Sequence, residues 1–179
     1  MSQSPQLVRK VLKEGKYLRL VKVDGYEFVE RTNCRGVVAI IAVTGDERLV
    51  LTEQFRLPVG RVVIDLPAGL SGDEDDAAQA KLLDSARREL LEETGFVAPK
   101  RCWKHLFEAA SSPGLTNEIV TYYRASPVIQ EASGGGVGGE QITVHTPLLR
   151  SIDSWLRRQS RQGKLIDAKV YAGLGIAGS

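Results

Sequence analysis

The amino-acid sequence predicts an α+β fold in which a helix packs on a mixed sheet. Three observations favour it: short segments near the N-terminus that alternate with period two, a continuous apolar run at residues 36–43, and an amphipathic segment at residues 76–94. The chain has 179 residues, of which 42% are hydrophobic and 26% charged. This size and composition predict one globular domain, residues 1–179, with a proper core.

The first half of the chain is predicted to be mostly strands. Residues 17–23 and 26–31 alternate apolar and polar side chains, and Asp24-Gly25 between them predicts a tight hairpin. The apolar run at 36–43 is typical of a central strand. Two further strands are predicted at residues 48–55 and 62–66.

The second half begins with the predicted helix at 76–94, which Gly95 closes at the usual position after the last turn. The elements predicted after it are strands near 101–107 and 118–125, a flexible glycine-rich loop at 131–140, a short strand at 142–146, a helix at 151–162 and a last helix at 168–176. Asp167 is a suitable N-cap for that last helix.

Charge and cysteine content argue against several classes of protein. A net charge of +2 gives no basis for nucleic acid binding. Cys34 and Cys102 show no metal or redox spacing, which favours a reduced compartment. No signal pattern or membrane-length apolar run is present. We therefore expect a cytoplasmic protein without nucleic acid or membrane partners.

Three carboxylates lie on one patch of the predicted helix, at relative positions i, i+3 and i+4: Glu89, Glu92 and Glu93. Glu89 and Glu93 project at the edge of the apolar stripe that Leu90 belongs to, where an uncompensated carboxylate costs several kcal/mol. A hard divalent cation is the simplest compensation. The sequence therefore predicts a Mg²⁺ or Mn²⁺ site.

The alternative is an acidic face in water, held by ion pairs within the helix. Arg88 is placed to pair with Glu92, and Arg87 with Asp84. Three features favour the metal site over this interpretation: the leucine-rich stripe, the Gly95 stop and the upstream segment 66–69, Leu-Pro-Ala-Gly.

Residues 88–96 resemble the right half of the Nudix box, Arg-Glu-U-x-Glu-Glu-x-Gly-U, in which U is a bulky apolar residue. The left half departs from the pattern. Gly69 precedes Arg88 by 88 − 69 = 19 residues, which is five more than the family spacing, and the position of the family's first Glu falls on Ala80. Glu74 or Asp75, in an inserted segment within 71–80, is a candidate replacement.

The resemblance implies an α/β/α sandwich with an N-terminal hairpin, and a hydrolase that uses Mg²⁺ or Mn²⁺. The metal ligands that it implies are the Ala68 carbonyl oxygen and the side chains of Glu89, Glu92 and Glu93. Arg88 would hold these carboxylates in place. Gly69 would allow close approach of the backbone to the site.

Three other segments resemble the ADP-ribose pyrophosphatase branch of this family. In Glu53-Gln-Phe-Arg56 the implied role of Arg56 is to contact the substrate diphosphate. The Ser-Pro-Gly element contributes Pro113 and Gly114, with Glu118 at the pocket edge. The alternatives are that Arg56 is a surface arginine, that the Ser-Pro-Gly element is a simple turn, and that Glu118 lies on an edge strand.

The segment Glu140-Gln-Ile-Thr-Val-His145 resembles the branch's E-x-I-x-V-H pattern. The resemblance implies that Glu140, on a mobile glycine-rich arm, orients or deprotonates water. A connector without function is the open alternative. His145 is expected to be structural.

The implied function is Mg²⁺-dependent hydrolysis of the diphosphate bond in ADP-ribose or another nucleoside diphosphate sugar. The resemblance also implies a homodimer, with strands from residues 1–35 exchanged between subunits. Two alternatives stay open. One is a Nudix hydrolase of oxidised nucleotides, dinucleoside polyphosphates or capped RNA, and the other is a non-catalytic nucleotide-sugar sensor.

Overall fold

Side chains from the two faces of the central strand β4 (Gly36–Thr44) enter two separate cores. Successive strand residues point to opposite faces of a sheet, and β4 is apolar on both. The computed structural model describes residues 7–34, 36–71 and 79–177. Within them β4 lies in the middle of the molecule, as its unbroken apolar sequence predicts.

The central sheet is mixed and has five strands. β4 pairs in parallel with β10 (Ile119–Gln130) and antiparallel with β7 (Ala68–Ser71). β10 also pairs antiparallel with β9 (Trp103–Ala110) and with β8 (Phe96–Val97). This sheet carries the segments of the candidate site.

Two smaller sheets flank it. The N-terminal sheet is antiparallel and holds β1 (Arg9–Glu14), β2 (Leu18–Val23) and β3 (Tyr26–Arg31). The third sheet has the order β11, β5, β6, β12, which are Thr143–His145, Leu51–Arg56, Arg61–Asp65 and Leu165–Ile166. In it only the β6–β12 pair is parallel.

The helices cover opposite faces of the sheet layer. On one face, α1 (Gln79–Thr94) buries Ala86 and Leu90 against even-numbered residues of β4. On the other, α2 (Ile152–Arg161) and α3 (Ala168–Ala177) contribute Ile152, Leu156 and Val170 to a core with the odd-numbered residues of β4 and with β5 and β6. The α/β/α sandwich is thus confirmed.

Most of the predicted elements are present. The hairpin turn has Asp24 at φ +45° and Gly25 at φ +92°, both left-handed as a two-residue turn requires. Asp167 caps α3, because the Lys169 backbone N–H donates to its Oδ1 at 2.9 Å. α2 ends just before Gly163, which has φ +86°.

Other predictions need correction. Residues 68–71 were not predicted as a strand, but they form β7, because their backbone pairs with β4. The strands β1, β8 and β12 were not predicted. The first is charged and exposed, and the other two are only two residues long. The predicted helix start near residue 76 lies outside the described residues. No described helix has the length and apolar character needed to span a membrane.

Leu90 and Leu91 test the packing of α1. Leu90 is fully buried in the α1 core, whereas Leu91 beside it is 41% exposed. We expect Leu90→Ala to lower the free energy of unfolding by about 2–5 kcal/mol, and Leu91→Ala by less than about 1 kcal/mol. Urea denaturation measures both. Equal losses would mean that α1 packs through a different face.

Candidate active site

The Glu89 carboxyl group lies directly against the backbone of Gly69. A methyl group added at Gly69 would come within 2.0 Å of Glu89 Cδ and 2.3 Å of its Oε2. The constraint here is space, and only glycine leaves room for such an approach. β7 fixes the position of Gly69 by pairing it with Val38.

Glu93, one turn further along α1, is held by the backbone of Ala68. The Ala68 N–H donates to Glu93 Oε2 at 3.0 Å. Because the Ile40 N–H donates to Pro67 O, the next pair, Ala39 with Ala68, is a non-hydrogen-bonded pair of the antiparallel ladder. Both polar backbone groups of Ala68 therefore face away from β4, and its carbonyl oxygen lies on the side of Glu93.

Burial raises the pKa of Glu93 to about 8. The Ala68 N–H opposes this effect, whereas the nearby carboxylates of Glu89, Glu140 and Asp65 add to it. The pKa of Glu89 is also raised, first by burial and then by Glu92 and Glu140, with Arg88 opposing. Two neighbouring carboxyl groups are thus destabilised as anions.

Arg88 contacts the patch from its outer side. Its Nη2 donates to Glu89 Oε1 at 2.9 Å, and about half of its side chain is exposed. The predicted role of Arg88, to hold a carboxylate of the patch, stays a prediction. Asp84 pairs with Arg87, with 3.6 Å between Arg87 Nη1 and Asp84 Oδ1. Glu74 and Asp75 lie outside the described residues.

Glu140 is brought beside the same patch although it lies far along the chain. Its charge raises the pKa of both Glu89 and Glu93, and its side chain is exposed. Its Oε2 also accepts a long hydrogen bond, 3.4 Å, from the Val137 N–H. The predicted base and the predicted ligands therefore converge.

The donors at this patch fit Mg²⁺ or Mn²⁺. They are all oxygen: the carboxylates of Glu89 and Glu93, that of Glu92 on the same face, and the Ala68 carbonyl. In the described residues no three His, Cys, Asp or Glu side chains are grouped to hold a metal ion by themselves. Mg²⁺ is usually held by one or two carboxylates together with water and substrate phosphates. A cation there would also offset the burial of Glu93.

A cavity of about 330 Å³ opens between the N-terminal sheet and the central sheet. Its lining residues are Arg19, Glu30, Arg31, Cys34, Gly36, Val37, Asn117 and Glu118. Glu118 accepts a 2.7 Å hydrogen bond from Arg31 Nε. Val37, on β4, is next to Val38, which pairs with Gly69.

The other predicted substrate-binding residues lie outside the acidic patch. Gly114 is in a loop against the N-terminal sheet, where its carbonyl accepts a 3.3 Å hydrogen bond from the Tyr26 hydroxyl, and Pro113 next to it is exposed. Arg56 is exposed at the end of β5, opposite Arg61. Among described residues it makes no ion pair.

Sequence reasoning missed a buried ion cluster beneath Ala68. Lys169 Nζ lies 3.0 Å from Asp65 Oδ2 and 2.9 Å from Asp167 Oδ1. Asp65 Oδ1 also accepts the Leu66 N–H at 2.7 Å. This cluster joins α3 to the segment that leads into β7. Asp65, directly before the Leu-Pro-Ala-Gly segment, was the available signal.

His145 is structural, as expected. Its Nε2 lies 2.7 Å from Glu53 Oε2, which also accepts a 2.6 Å hydrogen bond from Lys164 Nζ. Burial acts to raise the pKa of Glu53, but the hydrogen bonds from Lys164 and His145 outweigh it and lower that pKa below its ordinary value of 4.5. The contacts tie β5, β11 and the α2–α3 connection together.

This network predicts a pH-dependent contribution to stability. A carboxyl group with a lower pKa in the folded state stabilises the fold above its unfolded pKa and loses that contribution as pH falls through the folded pKa. We expect Glu53→Gln to cost about 1 kcal/mol of unfolding free energy near neutral pH. That cost should shrink below pH 4.5. Denaturation between pH 3 and 7 measures it, with exposed Glu108→Gln as control. A cost that grew toward acid would contradict the assignment.

Comparisons with known proteins show what the chain is similar to. No family model matches the chain. A methanol dehydrogenase activator of Bacillus methanolicus is 34% identical over 108 residues, 60% of this chain and 54% of its own length. An ADP-ribose pyrophosphatase of Bacillus subtilis is 37% identical over 92 residues, 50% of this chain and 45% of its own. The chain thus spans about half the length of these two relatives.

Two further matches extend over most of the chain. A solved structure described as an ADP compounds hydrolase has a TM-score of 0.66 at 18% identity, covering 87% of this chain and 84% of that one, which shows the fold. An uncharacterized Nudix hydrolase of Schizosaccharomyces pombe is 32% identical over 161 residues, 83% of this chain and 75% of its own. The chain therefore belongs to the Nudix hydrolase family.

Proposed function

We propose that this protein hydrolyses the diphosphate bond of nucleoside diphosphate sugars in a Mg²⁺-dependent reaction, with ADP-ribose as the leading substrate. The observation that carries the proposal is the convergence of Glu89, Glu93 and Glu140 beside the Ala68 carbonyl. The products from ADP-ribose are AMP and ribose 5-phosphate. The name of the Bacillus subtilis relative supports the same substrate class.

The carboxylates and the Ala68 carbonyl have different roles in the proposed reaction. Glu89 and Glu93, with Glu92 and the Ala68 carbonyl, provide the oxygen donors for a divalent cation. The chemistry that a bound cation supplies here is neutralisation of the diphosphate and activation of water. Glu140 accepts the proton of the attacking water at its exposed carboxylate.

The two arginines stabilise negative charge at different places. Arg88 donates to Glu89 and keeps that carboxylate oriented. Arg56 has an exposed guanidinium without an ion pair in the described residues, and its planar donors suit phosphate oxygens. We propose that it contacts the diphosphate when substrate binds.

The cavity between the N-terminal sheet and the central sheet suits the nucleoside or sugar portion. Its volume of about 330 Å³ falls within the usual range for small-molecule sites, roughly 300–1,000 Å³. Its polar lining, which includes Arg19, Asn117 and the Arg31–Glu118 pair, offers hydrogen bonds to hydroxyl and base groups. Pro113 and Gly114 lie in the loop before Asn117 and Glu118, which line it.

A substrate panel tests the proposal. ADP-ribose, GDP-mannose and UDP-glucose are incubated with protein and Mg²⁺ beside an oxidised nucleotide, a dinucleoside polyphosphate and a capped RNA. Hydrolysis products and nucleotide-sugar binding are quantified, with EDTA as the metal-free control. We expect metal-dependent release, fastest from ADP-ribose. Turnover confined to oxidised nucleotides, dinucleoside polyphosphates or capped RNA would replace this substrate class. Tight binding of a nucleotide sugar without product would instead identify a sensor.

A homodimer is part of the proposal. The N-terminal sheet leaves several large apolar side chains exposed: Leu7, Val8, Val11, Leu12, Tyr17 and Leu18. All six residues of β1 are exposed, and within the described part of the chain β1 pairs only with β2. Such a surface is suited to a second copy of the chain, which supports an exchange of N-terminal strands between subunits.

Glu93→Gln tests the metal site. The substitution keeps the side-chain size and removes one charge, so we expect kcat to fall by about 10²-fold or more. Without metal the variant should be at least as stable as the wild type, because a buried carboxyl group is removed from its neighbours. Steady-state kinetics at saturating Mg²⁺ and thermal unfolding in EDTA measure the two effects.

Asp84→Asn is the matched control on the same helix. The Asp84 side chain is 69% exposed and pairs with Arg87, so we expect turnover close to that of wild type. Wild-type turnover in Glu93→Gln would remove Glu93 from the ligand set.

Glu140→Gln separates chemistry from binding. A residue that takes a proton from water contributes to the transition state and little to substrate affinity, so kcat should fall while KM stays similar. Glu131→Gln, another exposed glutamate of the same loop, is the control. A change in KM alone would show that the loop clamps substrate and does not supply the base.

A further inference from the structure

We propose that Gly134 is a positioning residue, which docks the segment of residues 131–142 onto the C-terminal end of α1 and thereby sets Glu140 against Glu89 and Glu93. The inference rests on the proposed function, because it assigns Glu140 its place in that reaction. It also differs from the expectation of a mobile arm, because the first residues of this loop are attached to the helix that carries the proposed metal ligands.

Backbone hydrogen bonds make the attachment. The N–H groups of Glu131 and Ala132 donate to Gly95 O at 2.8 and 3.1 Å. The Gly135 N–H donates to Glu93 O at 2.9 Å, and the Gly136 N–H to Glu92 O at 3.0 Å. The last carbonyls of a helix have no partner within it. Here the loop provides donors for two of them.

The loop approaches too closely for any side chain at the contact. A methyl group at Gly134 would lie 2.3 Å from the carbonyl carbon of Thr94, and one at Gly95 would lie 1.9 Å from Ala132 O. Both glycines also have left-handed backbones, at φ +66° and +73°. Backbone packs on backbone here, so a larger residue at 134 must push the loop away.

A short path connects the docked backbone to the Glu140 side chain. The Ile142 N–H donates to Gly135 O and the Glu140 N–H to Val137 O, each at 3.3 Å. A methyl group at Gly136 would lie 2.7 Å from Glu140 Cβ, so the glutamate packs on the docked glycines.

The consequence is a fixed relation between the base and the metal ligands. Glu92 and Glu93 use their carbonyls to hold the loop, while their carboxylates lie on the helix face that would hold the cation. A displacement of the loop moves Glu140 relative to both. Misplacement of a catalytic group by about 1 Å lowers the rate on the order of 10²-fold. The attachment of this loop to the end of α1, which we call the dock, therefore controls kcat more than substrate affinity.

The test compares Gly134→Ala with Gly163→Ala. Gly163 also has a left-handed backbone, at φ +86°, but a methyl group there meets no atom within 4 Å, so it reports the cost of strain alone. We expect Gly134→Ala to lower kcat by about 10- to 100-fold with little change in KM, and Gly163→Ala to keep wild-type kcat. Combined with Glu140→Gln, Gly134→Ala should cause no further loss. Equal kcat in the two alanine variants, or fully additive losses, would overturn the proposal.

Amide hydrogen exchange tests the dock without turnover, and in the wild-type protein it does not depend on whether a variant folds. The amides of Gly135 and Gly136 should be protected, and Gly134→Ala should expose them. Free exchange of both in the wild type would overturn the inference, even if nucleotide sugars are hydrolysed. Protection in a protein that hydrolyses none of the panel would support the dock and refute the proposed function.

Discussion

The burial of two like-charged carboxyl groups against β7 is the constraint on which the site depends. Glu89 and Glu93 lie one turn apart on α1, and both have raised pKa values because they are withdrawn from water. What holds them there is backbone: the open face of Gly69 and the N–H of Ala68. Such an arrangement is costly without a cation. The fold therefore holds uncompensated carboxylates at the place where the proposed chemistry needs positive charge.

The surrounding structure serves to keep β7 in its place. Its pairing with β4 turns the polar groups of Ala68 toward α1. The ion cluster of Asp65, Asp167 and Lys169 fixes the segment that precedes β7. This cluster includes α3, which belongs to the other core. Burial opposes the charged form of Lys169, but the two carboxylates outweigh it and raise its pKa. Contacts from both cores thus fix the position of a few backbone atoms of β7.

The sequence predicted those parts of the site whose signal lies within one element. Helical periodicity placed Glu89 and Glu93 at the edge of the apolar stripe, and residues 36–43 read as a central strand. β7 was missed because four residues, Ala-Gly-Leu-Ser, show no alternation, and their strand character comes from a partner about thirty residues earlier. The dock of the glycine-rich loop was missed because main-chain hydrogen bonds leave no pattern in side chains. The Arg31–Glu118 pair joins residues 87 positions apart, a separation that no local spacing reveals.

The connection between β7 and α1 is anchored on both sides. Before it, the Ser71 hydroxyl donates to Gly36 O at 3.2 Å, and after it the packing of Ala86 and Leu90 fixes the helix. Because these contacts hold β7 and the described part of α1 in place, the approach of Glu89 to Gly69 does not require the family's fixed number of residues between them. Five extra residues therefore change the spacing of the motif, while Gly69 and Glu89 are still in contact. A search by fixed spacing would pass over chains of this kind, whereas one keyed to the Gly69–Glu89 contact would find them.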